Sequence, residues 1–147
     1  MEITVAKNAG FCFGVRRATG LLEDALKHRS RGKVCTLGHI IHNDVYLADV
    51  ASRGAESVGY GDIPALIAAA ESGEEITIVI RAHGEMQDVV NRLRDAAEKY
   101  QSFTLLDGTC PYVEKVRRIA RENSGEDKCF ILIGELTGCG NPLHEFV

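Results

Sequence analysis

The chain has 147 residues, 17 Lys and Arg against 21 Asp and Glu, a formal net charge of -4, and 45% hydrophobic residues with no Trp. That apolar content excludes a disordered polypeptide, and the mild acidity excludes a nucleic-acid surface spread over the whole molecule. No apolar run reaches the ~18 residues of a transmembrane helix, and the first five residues lack the pattern of a signal peptide, so a soluble, cytoplasmic protein is expected.

Short β-branched runs alternate with helical patterns along the chain. Strands are expected at Glu2–Ala6, Lys33–Leu37, Ala55–Val58, Ile76–Ile80, Phe103–Leu106 and Cys129–Ile133. Val15, Ala18, Leu21, Leu22, Ala25 and Leu26 form one apolar helix face, and Met86, Val89, Val90, Leu93, Ala96 and Ala97 form another. Asn43 caps a helix holding Val45, Leu47, Ala48 and Val50, and Asp62 with Pro64 opens a short Ala-rich one. Pro111 suits the first turn of a helix carrying Val113, Val116 and Ala120. Glu122–Lys128 reads as a polar surface turn. Alternation of this kind predicts an α/β fold of mainly parallel βα units. The expected division is an initial strand and loop over 1–13, a complete three-layer domain over 14–99, and a partial second domain over 100–147.

Five cysteines, Cys12, Cys35, Cys110, Cys129 and Cys139, are an odd number in a chain without an export signal. In a reducing compartment they fit core thiols, metal ligands or catalytic groups better than a disulfide framework. Cys35 and Cys129 lie inside expected strands and read as core.

Ligands of parallel α/β sheets bind beyond the carboxyl ends of the strands. Those ends carry Asn8-Ala9-Gly10-Phe11-Cys12-Phe13-Gly14, Gly38-His39-Ile40-Ile41-His42-Asn43, Arg81-Ala82-His83-Gly84 and Asp107-Gly108-Thr109-Cys110-Pro111. Cys12 fits either a small buried hydrophobe or a ligand whose neighbours Phe11 and Phe13 keep water away. Cys110 precedes a helix, where the N-terminal dipole favours the thiolate that binds metal; it also fits as filler beside a capping Thr109. His42 and His83 suit a phosphate or a metal as well as a satisfied core. His39 is at most a supporting residue. His28 reads as part of a solvated basic face, and Arg117, Arg118 and Arg121 as an exposed helix surface.

In this order and spacing, Gly10-Phe11-Cys12-Phe13-Gly14-Val15, Ile41-His42-Asn43, Arg81-Ala82-His83-Gly84 and Asp107-Gly108-Thr109-Cys110-Pro111 closely resemble the 4-hydroxy-3-methylbut-2-enyl diphosphate reductase (LytB/IspH) family. The resemblance runs from Met1 to about Gly134. It implies an iron–sulfur oxidoreductase of the non-mevalonate route of isoprene biosynthesis. Such an enzyme reduces an allylic diphosphate to isopentenyl and dimethylallyl diphosphates. The implied fold is three α/β units around a 4Fe-4S cluster held by three cysteines, with one iron open to substrate. Cys12 and Cys110 match the first two cluster ligands, and His42 and His83 match histidines on the substrate diphosphate. A low-potential donor such as ferredoxin or flavodoxin is the implied partner, with no nucleic acid and no membrane.

The pattern departs from the family after Gly134. Relatives continue with Gly-x-x-x-His-Pro-Glu-Val, whose His binds substrate and whose Glu helps deliver a proton. Here His144 and Glu145 have those residue types at a different spacing, and they are the substrate-binding and catalytic candidates of that segment. Cys139 matches no family ligand, and the third cluster cysteine of the family lies farther along than these residues reach. A truncated, inactive chain is therefore expected. The alternative is a non-catalytic zinc- or anion-binding module, because Cys12, His42, His83 and Cys110 also suit a tetrahedral zinc site.

Overall fold

A computed structural model of the chain describes residues 2–7, 9–28, 32–125 and 131. The helix α1 (Phe13–His28) leads into the strand β1 (Lys33–Leu37), then α2 (Asp44–Ser52) and β2 (Ala55–Val58). A single 3-10 turn at Tyr60–Asp62 precedes α3 (Ile63–Glu71), followed by β3 (Ile76–Ile80), α4 (Gln87–Lys99), β4 (Phe103–Asp107) and α5 (Pro111–Asn123). All strand pairs are parallel and the order is β2-β1-β3-β4. Val34 pairs with Ala55 on one side and Thr77 on the other, and Ile78 pairs with Leu105. The α/β class with parallel strands is as expected.

Both faces of the sheet are covered, which is why β1 and β3 read as nearly unbroken apolar runs. On one face Cys35, Leu37, Ile76, Ile78 and Ile80 pack against Ile63, Leu66 and Ala70 of α3 and Val90, Leu93 and Ala96 of α4. On the other, Val34 and Val79 pack against Ala18 and Leu22 of α1, with Ile40, Ile41 and Val50 beside them. Helices α1 and α4 therefore lie on opposite faces and complete three layers. Full burial of a side chain such as Leu22 or Leu93 contributes roughly 1.5–3 kcal/mol. The buried Thr19 hydroxyl donates to the carbonyls of Val15 and Arg16, at 3.0 and 3.2 Å, so it costs the core little.

Three local expectations need correction. Residues 2–6 form no strand; Ile3 and Val5 are each 74% exposed, and no described strand pairs with them. Alternation of apolar residues shows that a segment can join a sheet, but a ladder needs a neighbour. Asp62 does not cap α3, because its carboxylate accepts the Gly59 N–H at 2.8 Å and closes the preceding turn. Thr109 does not cap α5 either: the Asp107 carboxylate accepts both its N–H at 2.9 Å and its hydroxyl at 2.5 Å. Asn43 does cap α2, accepting the Tyr46 N–H at 3.0 Å. The division expected after residue 99 falls between α4 and β4, and β4 shares the sheet of β1–β3. The strand expected at Cys129–Ile133 and the loop expected at Leu136–Pro142 lie outside the described residues, apart from Ile131.

Candidate functional site

The strand order places a switch point between β1 and β3. From β1 the chain moves outward to β2, and from β3 it moves the other way to β4. Loops leaving two such neighbours diverge and open a crevice at their carboxyl ends. His42 follows β1 and His83 follows β3. Their rings stack at a centroid distance of 6.3 Å, 25° from parallel. His42 is exposed and His83 half-buried. Burial pushes the His83 pKa below its ordinary value, and the nearby positive charges of Arg81 and His42 push it the same way. His39 is exposed, two residues past the end of β1.

Contacts between loops bring the cysteines to the same end of the sheet. Cys110 packs on Gly14, where an added Cβ would lie 2.7 Å from its Sγ. The Cys110 N–H donates to the Ala82 carbonyl at 2.9 Å, fastening it beside the His83 loop. Cys12 is two residues before Gly14, and its carbonyl accepts the Arg16 N–H at 2.9 Å at the start of α1. Phe11 meets the Tyr46 ring edge-on at 6.4 Å, which ties the Cys12 loop to the helix that follows His42. The Cys110 loop is thus bonded to the loop that bears His83, and the Cys12 loop shares an aromatic contact with the helix after His42. Cys12 is exposed and Cys110 half-buried, whereas Cys35 is fully buried, and desolvation raises its pKa to about 11. Phe11 and Phe13 do not wall off Cys12 from water among the described residues; they are 43% and 58% exposed.

Arg117 corrects the expectation of an exposed basic helix face. It is 6% exposed, and its Nη2 donates to the His83 carbonyl at 3.4 Å while Nη1 pairs with Glu114 at 3.2 Å. Gly84 makes room: a Cβ there would lie 2.6 Å from Arg117 Nη1, and its φ of +75° is one that glycine adopts without strain. Spacing held the signal, because Arg117 shares its helix face with Ala120 and Val113, but the surrounding charges obscured it. Arg118 and Arg121 are exposed, as expected.

A second set of polar residues was also missed. Glu85 is 4% exposed, its Oε1 lies 3.1 Å from Arg81 Nε, and its Oε2 accepts the Tyr60 hydroxyl at 2.5 Å. It sits in an irregular loop where no periodicity announces burial.

Hollows open at both ends of the sheet. One of about 480 Å³, lined in part by Leu21, Lys33, Thr77 and Ser102, opens at the amino ends of the strands, away from the histidines. Another of about 570 Å³ adjoins the Cys110 loop, with Arg17, Lys115, Arg118 and Arg121 against Asp107 and Glu114. Among the described residues, no three His, Cys, Asp or Glu side chains gather to hold one metal ion. The tetrahedral zinc arrangement of Cys12, His42, His83 and Cys110 is therefore not formed. Two free thiols at one end of the sheet have the soft donor chemistry that an iron–sulfur cluster takes, with no third ligand beside them among those residues. Cys129, Cys139, His144 and Glu145 lie outside the described residues. No described helix is long and apolar enough to cross a membrane.

A family model described as LytB protein matches residues 3–137. The 4-hydroxy-3-methylbut-2-enyl diphosphate reductase of Anaeromyxobacter sp. (strain Fw109-5) is 35% identical over 135 residues, which are 92% of this chain and 43% of that protein. The reductase of the same name from Aquifex aeolicus (strain VF5) is 36% identical over 139 residues, 92% of this chain and 42% of that one. A solved structure of (E)-4-hydroxy-3-methyl-but-2-enyl diphosphate reductase, the terminal enzyme of the non-mevalonate pathway, is similar at a TM-score of 0.69 and 34% identity. That likeness covers 94% of this chain and 44% of the solved one. The chain spans less than half the length of the relatives it matches. With the family model matched from residue 3 to residue 137 over a parallel α/β sheet, the chain belongs to the LytB protein family.

Proposed function

We propose that these residues form the diphosphate-binding and cysteine-bearing part of a 4-hydroxy-3-methylbut-2-enyl diphosphate reductase. The reaction takes up two electrons and two protons, releases the allylic hydroxyl as water, and gives isopentenyl and dimethylallyl diphosphates. One observation carries the reading: His42 and His83 stack at the switch point while Cys110 is hydrogen-bonded to the very loop that bears His83. The imidazoles donate N–H groups to diphosphate oxygens, and the stacking sets both at one end of the sheet. Cys12 and Cys110 supply two thiolate ligands of a 4Fe-4S cluster. When bound, such a cluster supplies the electrons and the Lewis acidity that cleaving an allylic C–O bond needs. A low-potential ferredoxin or flavodoxin serves as donor, and free thiols suit a reducing cytoplasm.

Calorimetry under anaerobic conditions, on the chain reconstituted with iron and sulfide, tests the reading with 4-hydroxy-3-methylbut-2-enyl diphosphate as ligand. Replacing His83 by Ala is expected to weaken binding about 10- to 150-fold, the effect of losing a charge-assisted hydrogen bond, with iron and sulfide content unchanged. Unchanged affinity with loss of iron would instead make the histidines metal ligands and overturn the assignment.

A further inference from the structure

Glu85 is a carboxylate removed from water, a placement that is unfavourable unless charge and hydrogen bonds compensate. Its Oε2 accepts the Tyr60 hydroxyl, and its Oε1 lies 3.1 Å from Arg81 Nε, an ion pair in which Nε makes no aligned hydrogen bond. Glu85 thus faces the Nε side of the guanidinium. Neither of its Nη atoms has a hydrogen-bond partner among the described residues. The guanidinium extends from the exit of β3 to the exit of β1, where its Nη1 lies 3.4 Å from the place a Cβ on Gly38 would take. Gly38 has a φ of +66°, so a larger residue there would be strained as well as crowded. The Arg81 side chain is 29% exposed and within electrostatic reach of His83. A cation held half-buried near His83, with its terminal nitrogens uncommitted among the described residues, is arranged for an anion. A guanidinium presents paired N–H donors that match phosphate oxygens, which a lysine ammonium cannot do.

We propose that Arg81 is an anion-binding residue of the strand-end crevice and that Glu85 and Tyr60 are the positioning residues that aim it. The inference rests on the diphosphate reading of His42 and His83 and adds the guanidinium as a third contact. The ion pair on the Nε side favours this placement of the guanidinium, and Tyr60, from the turn after β2, holds the carboxylate in turn.

Titration of the 147-residue chain with inorganic diphosphate, followed by calorimetry, separates the possibilities. Arg81→Gln is expected to bind about 10-fold or more weakly, and Arg81→Lys to recover only part of that loss, since it restores charge without the fork. Glu85→Gln and Tyr60→Phe are expected to fall between parent and Arg81→Gln. Neutralising Arg81 is also expected to raise the His83 pKa in an imidazole NMR titration, a change that a purely structural arginine remote from the crevice would not cause. His83→Ala is the control. If His83→Ala loses binding while a folded Arg81→Gln binds like the parent, the Arg81 assignment falls and the diphosphate reading stands. If the parent does not bind inorganic diphosphate, both fall. Should Arg81→Gln fail to fold, parent-like affinity in Arg81→Lys overturns the fork. Parent-like affinity in both Glu85→Gln and Tyr60→Phe, with only their melting temperatures lowered, overturns the positioning role.

Discussion

His83 is half-buried with Arg81 and His42 nearby, and all three influences oppose its protonation. In the unfolded chain it titrates near its ordinary value of 6.5. Below that pH the unfolded chain takes up the proton first, so the stability this group contributes above pH 6.5 is lost as pH falls through its lower folded pKa. Urea unfolding between pH 7.5 and about 5 is expected to show a decline in stability that is shallower in His83→Gln. Equal slopes in the two proteins would refute the assignment. Gly84 makes a harder demand. A Cβ there meets Arg117 at 2.6 and 2.8 Å and Thr109 at 2.9 Å, on a backbone at φ +75°. Gly84→Ala is expected to cost about 1–3 kcal/mol of stability, and Arg117→Ala in the same chain should recover part of it by vacating the space. Additive losses in the double variant would show that the two positions do not compete for volume.

At the scale of elements, the core depends on helices laid on both faces of a narrow sheet. Leu93 of α4 is fully buried among the strands, and Leu93→Ala is expected to lower unfolding free energy by roughly 2–5 kcal/mol in a urea titration. The elements that could be read in advance share one property: burial imposes a period. Val15 to Leu26 and Val89 to Ala97 repeat at helical spacing because one side of each helix meets the sheet, whereas Met86, expected on that face, lies before α4 and is exposed. The runs Val34–Leu37 and Ile76–Ile80 are mostly apolar because both of their faces are covered. Ile3 and Val5 alternate as a strand would, but pairing depends on a partner that their own sequence does not specify. Among site residues, His42, His83, Cys12 and Cys110 stood out because the carboxyl ends of parallel strands are few and their chemistry is unusual there. Arg117 and Glu85 did not. Their burial comes from contacts across loops, with Gly84 and Tyr60, that no local pattern records.

For the molecule as a whole, binding and turnover are expected to separate. The described residues place two free thiols near the crevice, and the resemblance implies three ligands for a working cluster. The 147-residue chain, reconstituted anaerobically and given a low-potential donor, is therefore expected to bind diphosphate without reducing the allylic substrate. Sustained product formation by this chain would refute that. The bond from the Cys110 N–H to the Ala82 carbonyl, with Arg117 gripping the His83 carbonyl, has a further consequence. These two loops are not independent receptors, because ordering one restricts the other. Thermodynamic linkage then requires reciprocity: if an anion at the imidazoles favours one arrangement of the Cys110 loop, fixing that arrangement must raise anion affinity by the same free energy.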